Sequence, residues 1–157
     1  MKVPVYTTCL NDRIMLVKEK ELEYPYNGRF SDSESIAFMM TEAFHMNQFA
    51  EEYVYMLAFT NSLSLIGVSE VFHGTVSACT VSPREIFVRA CLMGASVVAI
   101  VHNHTSESHE PSSEDFAVTR RLIEAGKLMN IPLIDHVIIA NNKTSYSFRC
   151  CNSDLFS

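Results

Sequence analysis

The sequence lacks the segments that carry proteins into or across membranes. No apolar run approaches the roughly 20 residues that a membrane-spanning helix needs. The N-terminus does not show a basic stretch followed by an apolar one, which is the pattern of a secretion signal. We therefore expect a cytoplasmic protein without a membrane partner.

The cysteine spacing of a disulfide framework or a thiolate metal site is missing as well. The five cysteines are irregularly spaced, and no Cys-x-x-Cys pair occurs. We therefore expect reduced thiols. Cys79 and Cys91 lie in apolar segments and are expected to pack as small hydrophobic residues, whereas the adjacent Cys150 and Cys151 are candidates for exposed thiols.

Positive charge is in short supply. The chain has 12 lysines and arginines against 18 aspartates and glutamates, which gives a net charge of -6 and a pI of about 5.4. Because nucleic acid backbones attract basic surfaces, this composition argues against direct nucleic acid binding. No internal repeat or low-complexity tract occurs. The 157 residues, 48% of them hydrophobic, instead suit one folded domain with a buried core.

The most informative pattern is a histidine pair followed at short distance by a serine and an acid. His102 and His104 are separated by one residue, and Ser112 and Asp115 come shortly afterwards. Histidines two apart on an extended strand point the same way, so both imidazoles can meet one ion. Pro111 and Ser112 predict the start of a helix, whose first turn would bring Asp115 back beside the histidines.

Two neutral imidazoles and a carboxylate are a ligand set that suits Zn²⁺. Three protein ligands leave one position open for a water whose pKa the ion lowers towards neutrality, so the predicted site is hydrolytic rather than structural. A short His-x-His string also occurs by chance in solvated loops, and the pair alone leaves metal binding open. The buried strand predicted at 97–101 favours a site, because α/β sheets place chemistry where strands pass into loops.

Hydrophobic periodicity predicts an α/β fold with a mixed β-sheet flanked by helices. Strands are predicted at residues 53–59, 63–72, 97–101 and 133–140, with a last one that ends near 148. Helices are predicted from a capping box at Ser31 to about Ala50, from Pro83 to Gly94, and from Ser112 to about Asn130. Residues 1–30 are predicted to be an N-terminal extension whose strands pack on the domain formed by residues 31–157.

The array His102-x-His104-x7-Ser112-x2-Asp115 resembles the JAMM (MPN+) metallo-isopeptidase signature and, within it, the RadC-like family. Segments at 83–87, 111–115 and 135–139 support the narrower likeness, which covers roughly residues 31–150. The resemblance implies a single-domain JAB/MPN fold, related in architecture to cytidine deaminases. It further implies a zinc-dependent hydrolase of peptide or isopeptide bonds, with a protein or peptide as substrate.

The resemblance also implies the roles of individual side chains. His102, His104 and Asp115 would hold Zn²⁺, although a carboxylate at the position of Asp115 also caps a helix. Ser112 would cap the same helix and stabilise the oxyanion of the tetrahedral intermediate. Glu52, directly before an apolar strand, would be the general base that passes a proton from water to the leaving amine.

The identity of the base depends on the register of the strand that it precedes. Glu51 would point to the opposite face from Glu52, so a shift of one residue would exchange them. Glu70 is a weaker candidate on the next strand. A solvated charge at the start of a strand is the alternative for Glu52.

The loop after the histidines departs from the family pattern. The family has Pro and Gly where this chain has Thr105 and Glu107, which predicts either a different loop path or a change in activity. His109 in the same loop is expected to face solvent. His136 matches an Asp-His pair of the family and is expected to be a structural residue or to contact a ligand from behind.

Other functions are compatible with parts of the sequence. A DNA-repair or mobile-element accessory protein is suggested by the RadC name, yet we expect no helix-hairpin-helix module in a chain of this length. A catalytically silent interaction module is suggested by the altered loop. A contiguous His-Asn-His lacks the separated elements of an HNH nuclease, and the Pro-Cys-x-x-Cys ligands of zinc deaminases are missing.

Overall fold

Seven strands form one mixed sheet in the computed structural model, which describes residues 1–10, 12–26, 30–74 and 81–157. The strands are β1 (Lys2–Leu10), β2 (Ile14–Glu23), β3 (Glu52–Phe59), β4 (Leu65–Gly74), β5 (Val97–Asn103), β6 (Leu133–Ile139) and β7 (Ser145–Ser147). The helices are α1 (Ser33–Glu42), α2 (Pro83–Met93), α3 (Ser113–Met129) and α4 (Phe148–Cys151). The predicted α/β architecture, a mixed sheet flanked by helices, is confirmed.

The sheet has the strand order β2-β1-β4-β3-β5-β6-β7. β3 lies in the middle and pairs antiparallel with β4 and β5, whereas β5 and β6 are parallel. Parallel neighbours need a crossover connection, and α3 provides it. This β5-α3-β6 unit puts the start of α3 next to the end of β5.

Two apolar layers cover the two faces of the sheet. On one face, α1 packs through Ile36, Met39 and Met40 against alternate residues of the central strands. On the other face, α2 and α3 pack against the residues between them, such as Met56 and Ile100. Side chains of a strand alternate between the two faces of the sheet, and both faces are covered here. The central strands are therefore apolar on both sides, as their sequences predict.

The first helix is shorter than predicted. Its N-cap is Asp32, which accepts a hydrogen bond from the Ser35 amide at 2.7 Å, and not Ser31. α1 ends at Glu42, and His45 then takes a left-handed conformation with φ 55° before a 3-10 turn. Apolar spacing continued past the helix because Met46 in this turn is also buried, so periodicity alone overestimated the helix length.

The first two strands form a hairpin in the same sheet as the rest of the chain. β1 pairs antiparallel with β2 and parallel with β4, where Val5 lies opposite Val68. β2 is the edge strand and is largely exposed. The separate status of residues 1–30 stays a prediction.

The cysteine prediction was wrong for Cys91, which is exposed on α2, whereas Cys150 and Cys151 are exposed as expected. The buried apolar residues of α2 are Ile86, Phe87 and Ala90, which pack against the sheet, and helix geometry turns Cys91 away from them. Cys79 lies outside the described residues. Among the helices of the described ranges, none has the length and apolar character needed to cross a membrane.

Candidate metal centre

The two histidines lie where β5 ends, on the face that α2 and α3 cover. His102 shares that face with Ile100, two residues earlier on the strand, and is only 2% exposed. His104 follows the strand, but its amide still donates to the Ile139 carbonyl at 2.9 Å, which continues the pairing with β6 by one residue. This bond keeps the backbone extended, and the two imidazoles therefore lie side by side with their Nε2 atoms 3.1 Å apart.

The start of α3 brings the carboxylate to this pair. Ser112 is the N-cap, and its Oγ accepts from the Asp115 amide at 3.2 Å. The Oδ2 atom of Asp115 in turn accepts from the amide of Ser112 at 2.7 Å and from its hydroxyl at 2.6 Å. The predicted capping box is confirmed, and it holds the Asp115 side chain against the histidines rather than towards solvent.

One ligand atom from each of the three residues lies within 4.8 Å of the other two. The Nε2 of His102 is 3.3 Å from Oδ1 of Asp115, and the Nε2 of His104 is 3.7 Å from Oδ2. Zinc–ligand bonds of about 2.0–2.1 Å would place tetrahedral ligands about 3.3–3.4 Å apart. The three residues form a group that could hold a metal ion, and their nitrogen and carboxylate donors fit Zn²⁺.

Hydrogen bonding fixes how the His104 ring faces this group. Its Nδ1 lies 3.0 Å from the Ser108 carbonyl, which can only accept, so Nδ1 carries a hydrogen. In the neutral ring the Nε2 lone pair then points at His102 and Asp115. The protonated ring can instead donate from Nε2 to Asp115. This hydrogen bond raises the pKa of His104 against the opposing effect of burial, and the charge of Glu52 adds to the rise.

The charges in the centre favour a bound cation. Burial lowers the pKa of His102 to about 4, so this ring is neutral near pH 7. Burial would raise the pKa of Asp115, but the hydrogen bonds from His104 and from the hydroxyl and amide of Ser112 hold it well below its usual range. Two imidazole lone pairs and a carboxylate face one point, and they repel unless a proton or a metal ion lies between them.

Glu52 lies beside this group on the neighbouring strand. β3 pairs with β5 so that Val54 is opposite His102, and Glu52, two residues earlier, shares the face of Val54. Glu52 and Ser112 line the same cavity of about 300 Å³ as the two histidines and Asp115. Glu51 is exposed on the other side. The register therefore brings Glu52 to the centre and Glu51 away from it.

Asn103, the residue between the histidines, holds the backbone on either side of Glu52. Its Oδ1 accepts from the Tyr53 amide at 2.8 Å, and its Nδ2 donates to the Glu51 carbonyl at 2.9 Å. Asn103 is 1% exposed and points away from the imidazoles. Its role was not predictable from local spacing, because these contacts depend on which strand lies next to β5.

His136 is a second buried residue that contacts the histidine pair. It lies on β6, is 2% exposed, and places its Nε2 2.8 Å from Nδ1 of His102. Thr119 on α3 lies on the other side of the ring, with its hydroxyl oxygen 2.6 Å from Nδ1 of His136. His136 therefore contacts the metal centre from behind, one of the two roles expected for it.

The loop after His104 follows a path that its altered residues tolerate. Glu107 is not among the residues with positive φ in the described part of the chain, so its position does not need glycine. The Ser106 carbonyl accepts from the Asn141 amide at 3.0 Å, which ties the loop to the turn after β6. Thr105 lines the cavity of the metal centre.

The remaining candidates lie outside the centre. His109 bonds to the Thr144 hydroxyl at 2.8 Å. The Oε1 of Glu70 on β4 lies 2.8 Å from Nδ1 of His73, and Glu70 lines a different cavity. The structure does not bring either residue to the group formed by His102, His104 and Asp115.

Comparison with protein families decides the affiliation of the chain. A profile of the RadC-like JAB domain matches residues 30–153, which is most of the sequence. The chain belongs to the RadC-like JAB domain family. Together with the His-His-Asp group, membership of this family supports a metal-dependent, hydrolase-like role.

Bacterial UPF0758 proteins are similar to this RadC-like chain. One from Alkaliphilus metalliredigens is 34% identical over 73% of the chain and 48% of its own length. One from Clostridium tetani is 35% identical over 73% of the chain and 50% of its own length, and one from Syntrophomonas wolfei is 40% identical over 60% and 40%. The chain therefore spans about half the length of these curated relatives, or less.

Proposed function

We propose that this RadC-like domain is a zinc-dependent hydrolase of peptide or isopeptide bonds. The observation that carries the proposal is the convergence of His102, His104 and Asp115, whose ligand atoms lie within 4.8 Å of one another, with Glu52 in the same cavity. Three protein ligands and an open side suit catalysis, whereas structural zinc sites have four protein ligands. When bound, Zn²⁺ would polarise a carbonyl group and lower the pKa of a coordinated water.

Glu52 is the proton carrier of the proposed reaction. Its carboxylate would take a proton from the attacking water as the new C–O bond forms. It would then deliver that proton to the amine nitrogen as the C–N bond breaks, which balances the hydrolysis. Its position on the cavity wall, next to both histidines, supports this assignment.

Ser112 is the proposed hydrogen-bond donor to the oxyanion. Its hydroxyl donates to Oδ2 of Asp115, and it lies on the cavity wall. Because the Ser112 amide also donates to Oδ2, the carboxylate keeps one partner when the hydroxyl turns to a substrate. A single preorganised donor of this kind is worth about 10²–10³ in rate.

A matched pair of variants tests the proposal. Zinc content is measured first, and cleavage of peptide and isopeptide substrates is then compared in the wild type, Glu52→Gln and Glu51→Gln. We expect stoichiometric zinc in all three proteins, with cleavage lost only in Glu52→Gln, because Glu51 faces solvent. Stoichiometric zinc with cleavage unaffected by Glu52→Gln would refute the mechanism.

The family resemblance supplies the proposed substrate class, and the composition supplies the rest of the proposal. A protein or peptide is the proposed substrate, and the cytoplasm is the proposed location. The net charge of -6 predicts no direct binding to nucleic acid. A titration with duplex DNA at several salt concentrations checks this point, and tight, salt-dependent binding would contradict it.

A further inference from the structure

A closed ring of contacts, three of them hydrogen bonds, joins two of the proposed metal ligands through residues that do not face the metal. It runs from the backbone carbonyl of Asp115 to Thr119, then to His136 and to His102, whose Nε2 faces the Asp115 carboxylate. Each of these residues is no more than 5% exposed. Water therefore does not compete for these bonds, and the hydrogens have few possible positions.

The hydrogen positions in this ring of contacts follow from the contact between Thr119 and the Asp115 carbonyl. The Thr119 hydroxyl oxygen is 2.6 Å from the Asp115 carbonyl oxygen, and two oxygens this close need a hydrogen between them. The carbonyl has none, so the single hydroxyl hydrogen of Thr119 points at Asp115. Thr119 can then only accept from His136, and Nδ1 of His136 must carry a hydrogen.

The same reasoning passes from His136 to His102. Both rings are only 2% exposed, and the ring nitrogens of His136 face Thr119 and His102 rather than a carboxylate. Burial favours the neutral form of an imidazole, which carries one hydrogen. With Nδ1 of His136 protonated, its Nε2 is an acceptor and takes the hydrogen of His102 Nδ1 at 2.8 Å. Nε2 of His102 is then left with a lone pair, which points at His104 and Asp115.

The position of the His136 ring is set before any metal binds. It stacks on Phe148 with ring centres 4.7 Å apart and an angle of 11° between the planes. The His136 amide donates to the carboxylate of Asp135 at 2.7 Å, and the same carboxylate accepts from the Ser147 hydroxyl at 2.7 Å. These contacts leave the His136 ring one orientation, with Nε2 towards His102.

We propose that His136, held by Thr119, is a positioning residue that keeps the Nε2 lone pair of His102 free for the metal. Without it, His102 could place its hydrogen on Nε2 and donate to Oδ1 of Asp115, which is 3.3 Å away. That tautomer satisfies both groups and blocks the site, because a protonated nitrogen cannot bind a metal. The proposal depends on the metal role proposed above for His102.

The tautomer of His102 is measured in metal-free, ¹⁵N-histidine-labelled protein by long-range ¹H–¹⁵N correlation spectra. In the wild type we expect neutral His102 with its hydrogen on Nδ1. In His136→Leu we expect the hydrogen to move to Nε2. An unchanged tautomer in His136→Leu, or Nε2–H in the wild type, would overturn the proposal. A purely structural role of His136 would not move this signal.

Zinc affinity, measured by competition with a chromogenic chelator, is the second readout. We expect His136→Leu to bind zinc about 10- to 100-fold more weakly than the wild type, which is the usual cost of losing a partner of a metal-bound histidine. His136→Gln should recover part of the loss, because its amide oxygen can accept from His102 and its NH₂ can donate to Thr119. His109→Gln, outside the ring of contacts, should bind zinc like the wild type.

Thr119→Val gives a second test if His136→Leu does not fold. It keeps the volume of Thr119 but removes the acceptor for Nδ1 of His136, so His136 can place its hydrogen on Nε2 and repel that of His102. We expect a mixed His102 tautomer and several-fold weaker zinc binding, and wild-type behaviour of both would overturn the proposal. A wild type that binds no zinc would refute the proposed function, while the metal-free spectra would still test the ring.

Discussion

At the scale of single residues, two side chains outside the metal group hold members of the candidate site in position. Asn103 lies between the two histidines in sequence but on the opposite face of the sheet, where it bonds to the backbone on both sides of Glu52. His136 bonds to His102 from behind. The proposed metal ligands and the proposed base are therefore held by different neighbours, and their effects are separable by mutation.

Asn103→Leu should lower hydrolysis and leave zinc binding intact. The substitution keeps a similar volume but leaves the Tyr53 amide and the Glu51 carbonyl without partners, which costs about 1–3 kcal/mol of stability and releases Glu52 from its position. The measurements are kcat, zinc affinity and urea unfolding on one preparation. Zinc affinity that falls as far as kcat would contradict the separate roles.

The buried histidines should make the metal-free protein sensitive to acid. The pKa of His102 falls from the ordinary 6.5 to about 4 on folding, so between these values the unfolded chain binds the proton more readily. Stability should then decline as the pH falls from about 6.5 to 4, by about 3 kcal/mol for this group. His136, whose pKa burial also lowers, acts in the same direction.

His104 has the opposite sign and a different pH window. Its pKa is raised, so its contribution to stability is complete below 6.5 and is lost as the pH rises through the raised value. Urea unfolding of metal-free protein across pH 4 to 8 separates the two effects. His102→Asn should flatten the acid limb, and His104→Asn should flatten the limb above 6.5. An acid limb of unchanged steepness in His102→Asn would exclude His102 as its cause.

Spacing along the chain predicted the site residues that are close in sequence, but not the contacts between distant segments. His102, His104, Ser112 and Asp115 lie within 14 positions and were proposed from their pattern, and the structure brings them together. The contacts of Asn103 and His136 span 50 and 34 positions. They depend on the register between strands, which no periodicity along one segment contains.

At the scale of elements, strands were easier to predict than the ends of helices. β3 and β5 are apolar on both faces and match their predicted positions closely, because burial on both sides leaves little freedom in composition. α1 was predicted to continue to about residue 50, since Met46 preserves the apolar spacing after the helix has ended. A left-handed residue such as His45 has no reliable sequence signal.

The contact between α3 and β6 predicts an unusual response at Gly126. A Cβ there would lie 2.8 Å from the Ile131 carbonyl oxygen and 3.1 Å from the Leu133 amide, both of them backbone atoms. Gly126→Ala should therefore destabilise the protein by about 1–3 kcal/mol, although alanine favours a helix by about 1 kcal/mol. Urea unfolding measures the change.

Leu128→Ala is the matched control on the same helix. Leu128 is 88% exposed, so its truncation should change stability by less than about 0.5 kcal/mol. A stabilising effect of Gly126→Ala would show that α3 can move away from β6 without cost, and would contradict the close packing at this position.

At the scale of the whole molecule, the fold and the family were both predictable. The spacing of the site residues and three short segments pointed to the RadC-like family, and a match over residues 30–153 shows it. The sheet order was not predictable from the residues, because it requires knowing that β1 pairs with β4 across more than 60 positions. The match covers half or less of the length of each of these curated relatives, so the activity of a complete relative is not read from this domain.

Zinc should raise the thermal stability of the whole domain. A ligand present at 100 times its Kd adds about 2.7 kcal/mol to the free energy of unfolding, which corresponds to about 5–10 °C in Tm for a chain of this size. Differential scanning fluorimetry with zinc, with magnesium and with chelator measures the shift. Magnesium should have little effect, since nitrogen ligands do not suit it.

His104→Asn is the control for zinc bound elsewhere. Cys9, Cys91, Cys150 and Cys151 are exposed thiols and could also bind the ion. We expect the zinc-dependent shift in Tm to disappear in His104→Asn. A full shift in this variant would assign the stabilisation to another site, such as the thiols.

The β5-α3-β6 unit supplies all three groups proposed to hold the ion as well as both residues behind them, whereas the proposed proton carrier comes from β3. The residues proposed to bind a cation and the residue proposed to transfer the proton thus lie in different segments of the chain, which can change independently. A descendant that loses only the β3 carboxylate would keep a loaded, folded domain and could be recruited as a non-enzymatic scaffold without rebuilding anything else.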